Sequence, residues 1–180
     1  MDFTILESNI LFKGQVFNVR RDVLLVPGGR HTSIDVVEHN PAVTMVPIDQ
    51  DGMIWFIRQY RHPAEVELLE LPAGVAEYGE LPEISAQREL REETGMAARK
   101  LERLGGFFLA PGYSTEYMHV YLATDLYSDP LPGDENEFLR VEKISASKAS
   151  LLAESGQLQD SKSLVAMFWI RPYLIHLGLI

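Results

Sequence analysis

The chain has 180 residues, 46% of them hydrophobic, a mean hydropathy of −0.04 and a formal net charge of −10. That length suits one well-buried core with room for a small extension, while the acidic balance excludes a general nucleic-acid surface, which needs clustered Lys and Arg. The lack of cysteine excludes thiol catalysis and a disulfide framework, no run of about 18 apolar residues offers a membrane span, and the opening MDFTILESN lacks the basic start and apolar stretch of a signal peptide; a cytoplasmic location is expected.

Residues 3–12 and 16–26 carry enough Val, Ile, Leu and Phe for strands, and Pro27-Gly28-Gly29 signals a turn before a third run at 31–39. They predict a small antiparallel N-terminal sheet over residues 1–38, barely enough for independent stability. Its apolar face needs the core or a second subunit to cover it. AVTMVPI (42–48) and MIWFIRQY (53–60) are nearly continuous apolar runs joined at Asp49-Gln50-Asp51-Gly52, which predicts strands buried on both faces. Arg58 and Arg61 close the second of these, where strand-end arginines can simply snorkel to water. VELLELPAG (66–74) follows.

From Leu81 to Thr94 the chain suits a helix, since Pro82 is tolerated in a first turn and Gly95 offers a left-handed closing residue. Beyond it, 99–110 and 117–126 flank a loop at 111–116, and EFLRVEKI (137–144) reads as a strand. Two helices end the chain: Ser145–Glu154, stopped by Gly156, and one from Asp160 onward, capped by Asp160 and interrupted near Pro172. Strands on both sides of a central helix, with further helices at the end, predict an α/β fold with a mixed sheet covered on both faces over residues 39–180.

At roughly 100° per residue, Glu89, Glu92 and Glu93 fall within about 100° of arc on the central helix, with Ala86 and Leu90 together to one side. Three carboxylates thus share a face in the final turns, where the helix dipole disfavours each anion by roughly 0.3–1 kcal/mol and neighbours repel one another. A hard divalent cation would relieve the conflict, and Mg²⁺ characteristically takes one or two carboxylates plus substrate phosphates. The plainer alternative is a solvated acidic face balanced by Arg88 and Arg91. Against it stands the spacing. Gly74 is followed by five residues and Glu80, then by seven residues and the run Arg88-Glu89-Leu90-Arg91-Glu92-Glu93-Thr94-Gly95-Met96.

Filled without a gap, this pattern resembles the signature box of the Nudix hydrolases, which cleave nucleoside diphosphates linked to another moiety. Arg58-Gln59-Tyr60-Arg61, Glu70-Leu71-Pro72-Ala73-Gly74 and the loop Ala110-Pro111-Gly112-Tyr113-Ser114-Thr115-Glu116 look like the ADP-ribose pyrophosphatase branch. The resemblance implies an α/β/α sandwich with a mixed sheet, preceded by the N-terminal sheet. It also implies a homodimer that exchanges that region across its interface. Glu89, Glu92 and Glu93, with the Ala73 carbonyl, match the metal ligands for Mg²⁺, with Mn²⁺ as a substitute. Arg88 matches the arginine that holds the catalytic glutamates. Gly74 marks a close backbone approach, and Glu80 tethers the loop. Glu116 matches the base, or the residue that positions the attacking water, although Ala110 and Tyr113 depart from the commoner form of that loop. Arg61, with Arg58, is the candidate grip on the diphosphate or terminal sugar, and Phe17 the candidate stacking partner for a base.

The implied reaction is Mg²⁺-dependent hydrolysis of ADP-ribose, or a related nucleoside diphosphate sugar, to a nucleoside monophosphate and a sugar phosphate. The box and loop fit hydrolysis of GDP-mannose or another nucleotide sugar equally well. A non-catalytic ligand-sensing Nudix domain is disfavoured by the intact box, and an RNA substrate by the net charge of −10.

Overall fold

In the computed structural model, residues 2–133 and 138–180 are described. Glu137, the first residue of the strand expected at 137–144, lies outside them. The chain divides into two compact units, Met1–Pro41 with Phe108–Tyr117, and Ala42–Phe107 with Met118–Ile180.

The first unit is an antiparallel sheet of β1 (Thr4–Lys13), β2 (Phe17–Val26) and β3 (Arg30–His39), in that order. Gly28 and Gly29, at φ 89° and 75°, turn β2 into β3, and those strands stay in unbroken register from Phe17 opposite His39 to Val26 opposite Arg30. The β1–β2 pairing shifts twice, between Ile5 and Glu7 and between Ile10 and Phe12, as bulged edge strands do. Every residue of β1 is exposed, including Ile5, Leu6, Ile10, Leu11 and Phe12. Asp22 is the buried polar centre of the sheet, accepting from Ser8 Oγ at 2.6 Å and from Arg20 Nε at 3.1 Å.

The second unit holds a four-stranded mixed sheet and a three-stranded antiparallel one. The mixed sheet runs β7 (Ala73–Val75), β4 (Ala42–Pro47), β9 (Tyr117–Ser128), β8 (Met96–Phe108), with β4 parallel to β9 and antiparallel to β7. β4 is buried at all six positions. Its Val43 and Met45 pack with Ala86 and Leu90 of α1 (Pro82–Thr94). Its alternate residues face the other way, and α3 (Ser161–His176) packs on β4 through Ala166, Met167, Ile170 and Leu174. Helices therefore cover both faces, which gives the α/β sandwich expected from the order of elements.

The second sheet is β10 (Leu139–Ser145), β5 (Met53–Arg61), β6 (Val66–Glu70), with α2 (Ala146–Glu154) on β10 and β5. Burial of β5 on both faces was expected and is not observed. Ile54, Phe56 and Ile57 are buried, Tyr60 is exposed, and Met53, Trp55 and Arg58 are only partly covered. The reason is polar: the Trp55 indole donates to Asp49 Oδ2 at 2.9 Å and carries the Lys143 ammonium 3.9 Å above its ring, so that face must stay near water. The expected interruption at Pro172 is also absent, because α3 continues to His176. Pro172 and Phe168, whose carbonyl loses its helical partner, both lie on the exposed face, where such a loss is least costly.

Candidate active site

Helix α1 begins after Leu81 with Pro82 at its first position and ends at Gly95, whose φ of 73° closes the last turn through a bond from its N–H to the Arg91 carbonyl. Ala86 and Leu90 anchor one side in the core, so the glutamate face is fixed in rotation. At its centre stands Arg88. Its Nη1 donates to Glu89 at 2.7 Å and to Glu92 at 2.9 Å, while Nε and Nη2 grip Glu80 at 3.1 and 3.0 Å. Nη2 also donates to the Val75 carbonyl at 3.2 Å. Arg91, by contrast, turns away to Asp129, so it does not balance the acidic face.

Glu80 accepts further bonds from the Glu77 N–H at 3.0 Å and Ser85 Oγ at 2.7 Å. The Arg88 guanidinium, aided by these donors, outweighs partial burial and pulls the Glu80 carboxyl down to about 2. Glu80 is therefore the loop tether, as expected. Its bond to Arg88, with Glu89 adding, in turn holds Arg88 more firmly in its charged form.

Gly74 lies against Glu89 so closely that an added Cβ would sit 1.9 Å from the carboxyl carbon and 2.1–2.2 Å from its oxygens. A side chain there fits only if Glu89 leaves its place, which explains the glycine without recourse to backbone strain. Ala73, one residue earlier, pairs with Thr44 of β4 and donates its N–H to Glu93 Oε2 at 2.8 Å. Glu93 is 7% exposed. The strand segment 73–75 and the glutamate face of α1 are thus brought together.

Among the described residues, no three acidic or imidazole side chains already form a metal-binding group. The donor set nonetheless fits a hard cation, since Glu89 and Glu92 turn carboxylate oxygens to the same nitrogen of the Arg88 cation, and oxygen ligands of this kind suit Mg²⁺. Arg88 gathers the carboxylates around a positive centre.

Arg61, at the end of β5, makes a paired contact with Glu70, Nε to Oε1 and Nη2 to Oε2, each at 2.7 Å. The carboxylates of Asp160 and Glu93 also favour its charged form. Glu70 is 1% exposed and bonds to Lys162 as well. Burial pushes its carboxyl up, but Arg61 and Lys162 together bring it below the ordinary range. Arg58 is committed elsewhere, to Glu142 of β10 at 2.6 and 3.2 Å.

Phe17 and Glu116 belong to the first unit. Phe17 opens β2 and is exposed. Glu116 is half-buried at the end of a loop strapped to β3: Val37 N–H donates to the Tyr113 carbonyl at 2.7 Å, Thr115 N–H to the Val37 carbonyl at 2.9 Å, and His39 N–H to Thr115 Oγ1 at 2.9 Å. Its own N–H donates to Ser114 Oγ at 3.1 Å, and its carbonyl accepts from Leu109 at 3.2 Å.

The sequence matches the NUDIX domain over residues 38–166. The chain belongs to the Nudix hydrolase family. It is 34% identical to the ADP-ribose pyrophosphatase of Bacillus subtilis over 163 residues, covering 89% of this chain and 88% of that one. It is 44% identical to the ADP-ribose pyrophosphatase of Mycobacterium tuberculosis over 126 residues, 69% and 61% of the two chains. Its fold is similar to the crystal structure of an ADP compounds hydrolase, with a TM-score of 0.88, 29% identity and coverage of 100% and 98%. The Arg88-centred cluster is the Nudix box of this chain. Lys162 and Ser163 had no role assigned from sequence, Asp160 only that of a helix cap, and Glu70 none in the site beyond its place in the segment 70–74. A lysine at the second position of a helix, against the dipole, is the signal that could have found them.

Proposed function

We propose that the protein hydrolyses the pyrophosphate bond of ADP-ribose or a related nucleoside diphosphate sugar, releasing a nucleoside monophosphate and a sugar phosphate. The observation that carries this reading is the intact box gathered on Arg88 in a chain similar to two ADP-ribose pyrophosphatases. Glu89, Glu92, Glu93 and the Ala73 carbonyl would hold Mg²⁺, or Mn²⁺ in its place. When bound, that ion neutralises phosphate oxygens and makes water a better nucleophile at neutral pH.

The chain's own groups supply the rest. Arg88 fixes the two glutamates at a set distance, Gly74 admits the Glu89 carboxylate, and Glu80 locks the guanidinium from behind. Arg61 offers a planar, permanently charged fork to a phosphate oxygen, and Arg58 supports the same rim of β5. Glu116 takes the proton of the attacking water, and Phe17 stacks on the base. The protein works in the cytoplasm as a homodimer, and residues 1–38 form its interface. The exposed apolar residues of β1 support the dimer, because such a strand edge invites pairing. Among the described residues no helix is long and apolar enough to cross a membrane.

The test is a panel of ADP-ribose, other ADP-containing compounds, GDP-mannose and other nucleotide sugars with Mg²⁺, scored by product mass, beside sedimentation of the intact protein. Release of AMP and ribose 5-phosphate is expected, from a dimer. Failure to cleave any member would overturn the hydrolytic reading, and a strictly monomeric active enzyme would overturn the dimer.

A further inference from the structure

Behind Arg61 lies a buried polar cluster. Glu70, on the last residue of β6, and Lys162, in the first turn of α3, are 1% and 6% exposed. Arg61 grips Glu70 from the solvent side through both of its oxygens, and Lys162 bonds to Oε2 from the interior. Lys162 also pairs with Asp160 at 3.0 Å. Asp160 in turn accepts from the N–H and Oγ of Ser163, and Ser163 Oγ accepts the Leu71 N–H at 2.7 Å. The segment Glu70–Gly74 is therefore held on one side by the first turn of α3. On the other side Glu93 accepts the Ala73 N–H, and Gly74 abuts Glu89.

A lone buried carboxylate facing Arg61 would cancel most of the positive charge that guanidinium can offer to a phosphate. Two positive and two negative groups make the cluster neutral: Arg61 and Lys162 against Glu70 and Asp160. Removing the ammonium would leave it one charge negative, next to a site already rich in glutamate. A lysine placed against the helix dipole and out of water is costly, so a compensating role in the site gives a reason for its position.

We propose that Lys162 is a positioning residue for substrate binding: it neutralises Glu70 from the interior, so that Glu70 orients Arg61 without cancelling its charge toward the substrate diphosphate. This rests on the reading of the site as a nucleoside diphosphate hydrolase.

The experiment measures kcat and KM for the best substrate of the panel above, at saturating Mg²⁺, in the wild type, Lys162→Met and the double variant Glu70→Gln/Lys162→Met. Thermal melts serve as the folding control. Lys162→Met should raise KM roughly tenfold, the scale of one unscreened charge acting across a partly buried site, while kcat changes little. The double variant restores neutrality and should bring KM well below that of Lys162→Met, although it loses the Lys162 bonds to Glu70 and Asp160 and one of the two bonds by which residue 70 orients Arg61. A structural role alone predicts the opposite order, with the double variant the worse of the two. An unchanged KM in Lys162→Met, or a double variant with KM as high as the single, overturns the proposal. If Lys162→Met does not fold, the double variant is compared with Glu70→Gln alone: charge balance requires a low KM in the neutral double variant or in the single one, whose cluster is one charge positive, and a KM in both that exceeds wild type by about tenfold or more overturns the proposal. A wild type that cleaves no member of the panel sinks the hydrolytic reading and this inference with it, whereas an active wild type with the wrong KM pattern sinks this inference alone.

Discussion

The close approach of Gly74 to Glu89 makes Gly74→Ala a sharp probe of the site. The new methyl would fall 1.9 Å from the Glu89 carboxyl carbon, well inside any tolerable contact, so one partner must move. Gly74 sits in β7, paired with Val43 of the buried β4, and is hard to shift. Glu89 is the far end of a flexible side chain and will swing away instead. That breaks the 2.7 Å bond to Arg88, a charge-assisted contact whose loss costs roughly 1.5–3 kcal/mol when its partners stay buried. Arg88 keeps Glu80 and Glu92 and the freed carboxylate can reach water, so the net cost should be nearer 1 kcal/mol, a fall in Tm of about 2–4 °C for a chain of this size. Turnover should fall far more, by about 10²-fold, because a group displaced by an ångström no longer serves the reacting geometry. Differential scanning calorimetry and steady-state kinetics on the same preparation check both halves. A double-mutant cycle with Glu89→Ala adds a third measurement: once Glu89 is truncated, Gly74→Ala should cost almost nothing further in stability. Gly74→Ala with near-normal turnover would refute the reasoning, as would additive losses in the cycle.

Glu92→Gln keeps an acceptor for Arg88 Nη1 and removes one anion from a crowded helix end, so stability should hold or rise by up to about 1 kcal/mol while turnover at saturating Mg²⁺ drops steeply; near-normal turnover would remove Glu92 from the metal site. Glu80, lowered from 4.5 to about 2 in the folded chain, contributes stability that is complete above about pH 4.5 and is lost as pH falls toward 2. Unfolding free energies from urea titrations of wild type and Glu80→Gln should therefore differ by on the order of 2 kcal/mol at neutral pH, after allowance for solvent screening, and converge in acid. Glu116→Gln should lower kcat by roughly 10²–10⁴, the usual share of a general base, with residual activity rising with pH; a raised KM with kcat intact would make Glu116 a binding residue instead.

Local signals in the sequence carried the fold a long way. Pro82 and Gly95 bracket α1, which starts one residue after the expected Leu81, the Asp49–Gly52 turn falls where its composition puts it, and Asp160 caps α3 through the Ser163 N–H. These features depend on groups a few residues apart. What depended on partners far along the chain was less legible. The face of β5 that carries Trp55 is partly polar because Asp49 and Lys143 meet that ring, and on the opposite face Arg58 pairs with Glu142, while Pro172 is tolerated on the exposed side of α3. In the site, the box spacing pointed to Arg88 and its glutamates. The link from Glu70 to Lys162, 92 residues apart, leaves only an oddly placed lysine as its trace.

Four glutamates of the box look interchangeable as letters, and hydrogen-bond capacity separates them. A carboxylate offers about four lone-pair positions. Glu80 uses most of that capacity, with the Glu77 N–H, Ser85 Oγ and Arg88 Nη2 on Oε2 and Arg88 Nε on Oε1. A group so occupied, and held ionised down to about pH 2 by Arg88, has little left for a ligand. Glu92 is 25% exposed and, among the described residues, accepts from Arg88 alone. The two therefore divide the labour: Glu80 fixes the arginine from behind, and the arginine presents Glu92. It follows that replacing Glu80 should loosen the site through stability, and replacing Glu92 should disable it through chemistry, although both changes remove one carboxylate from the same arginine.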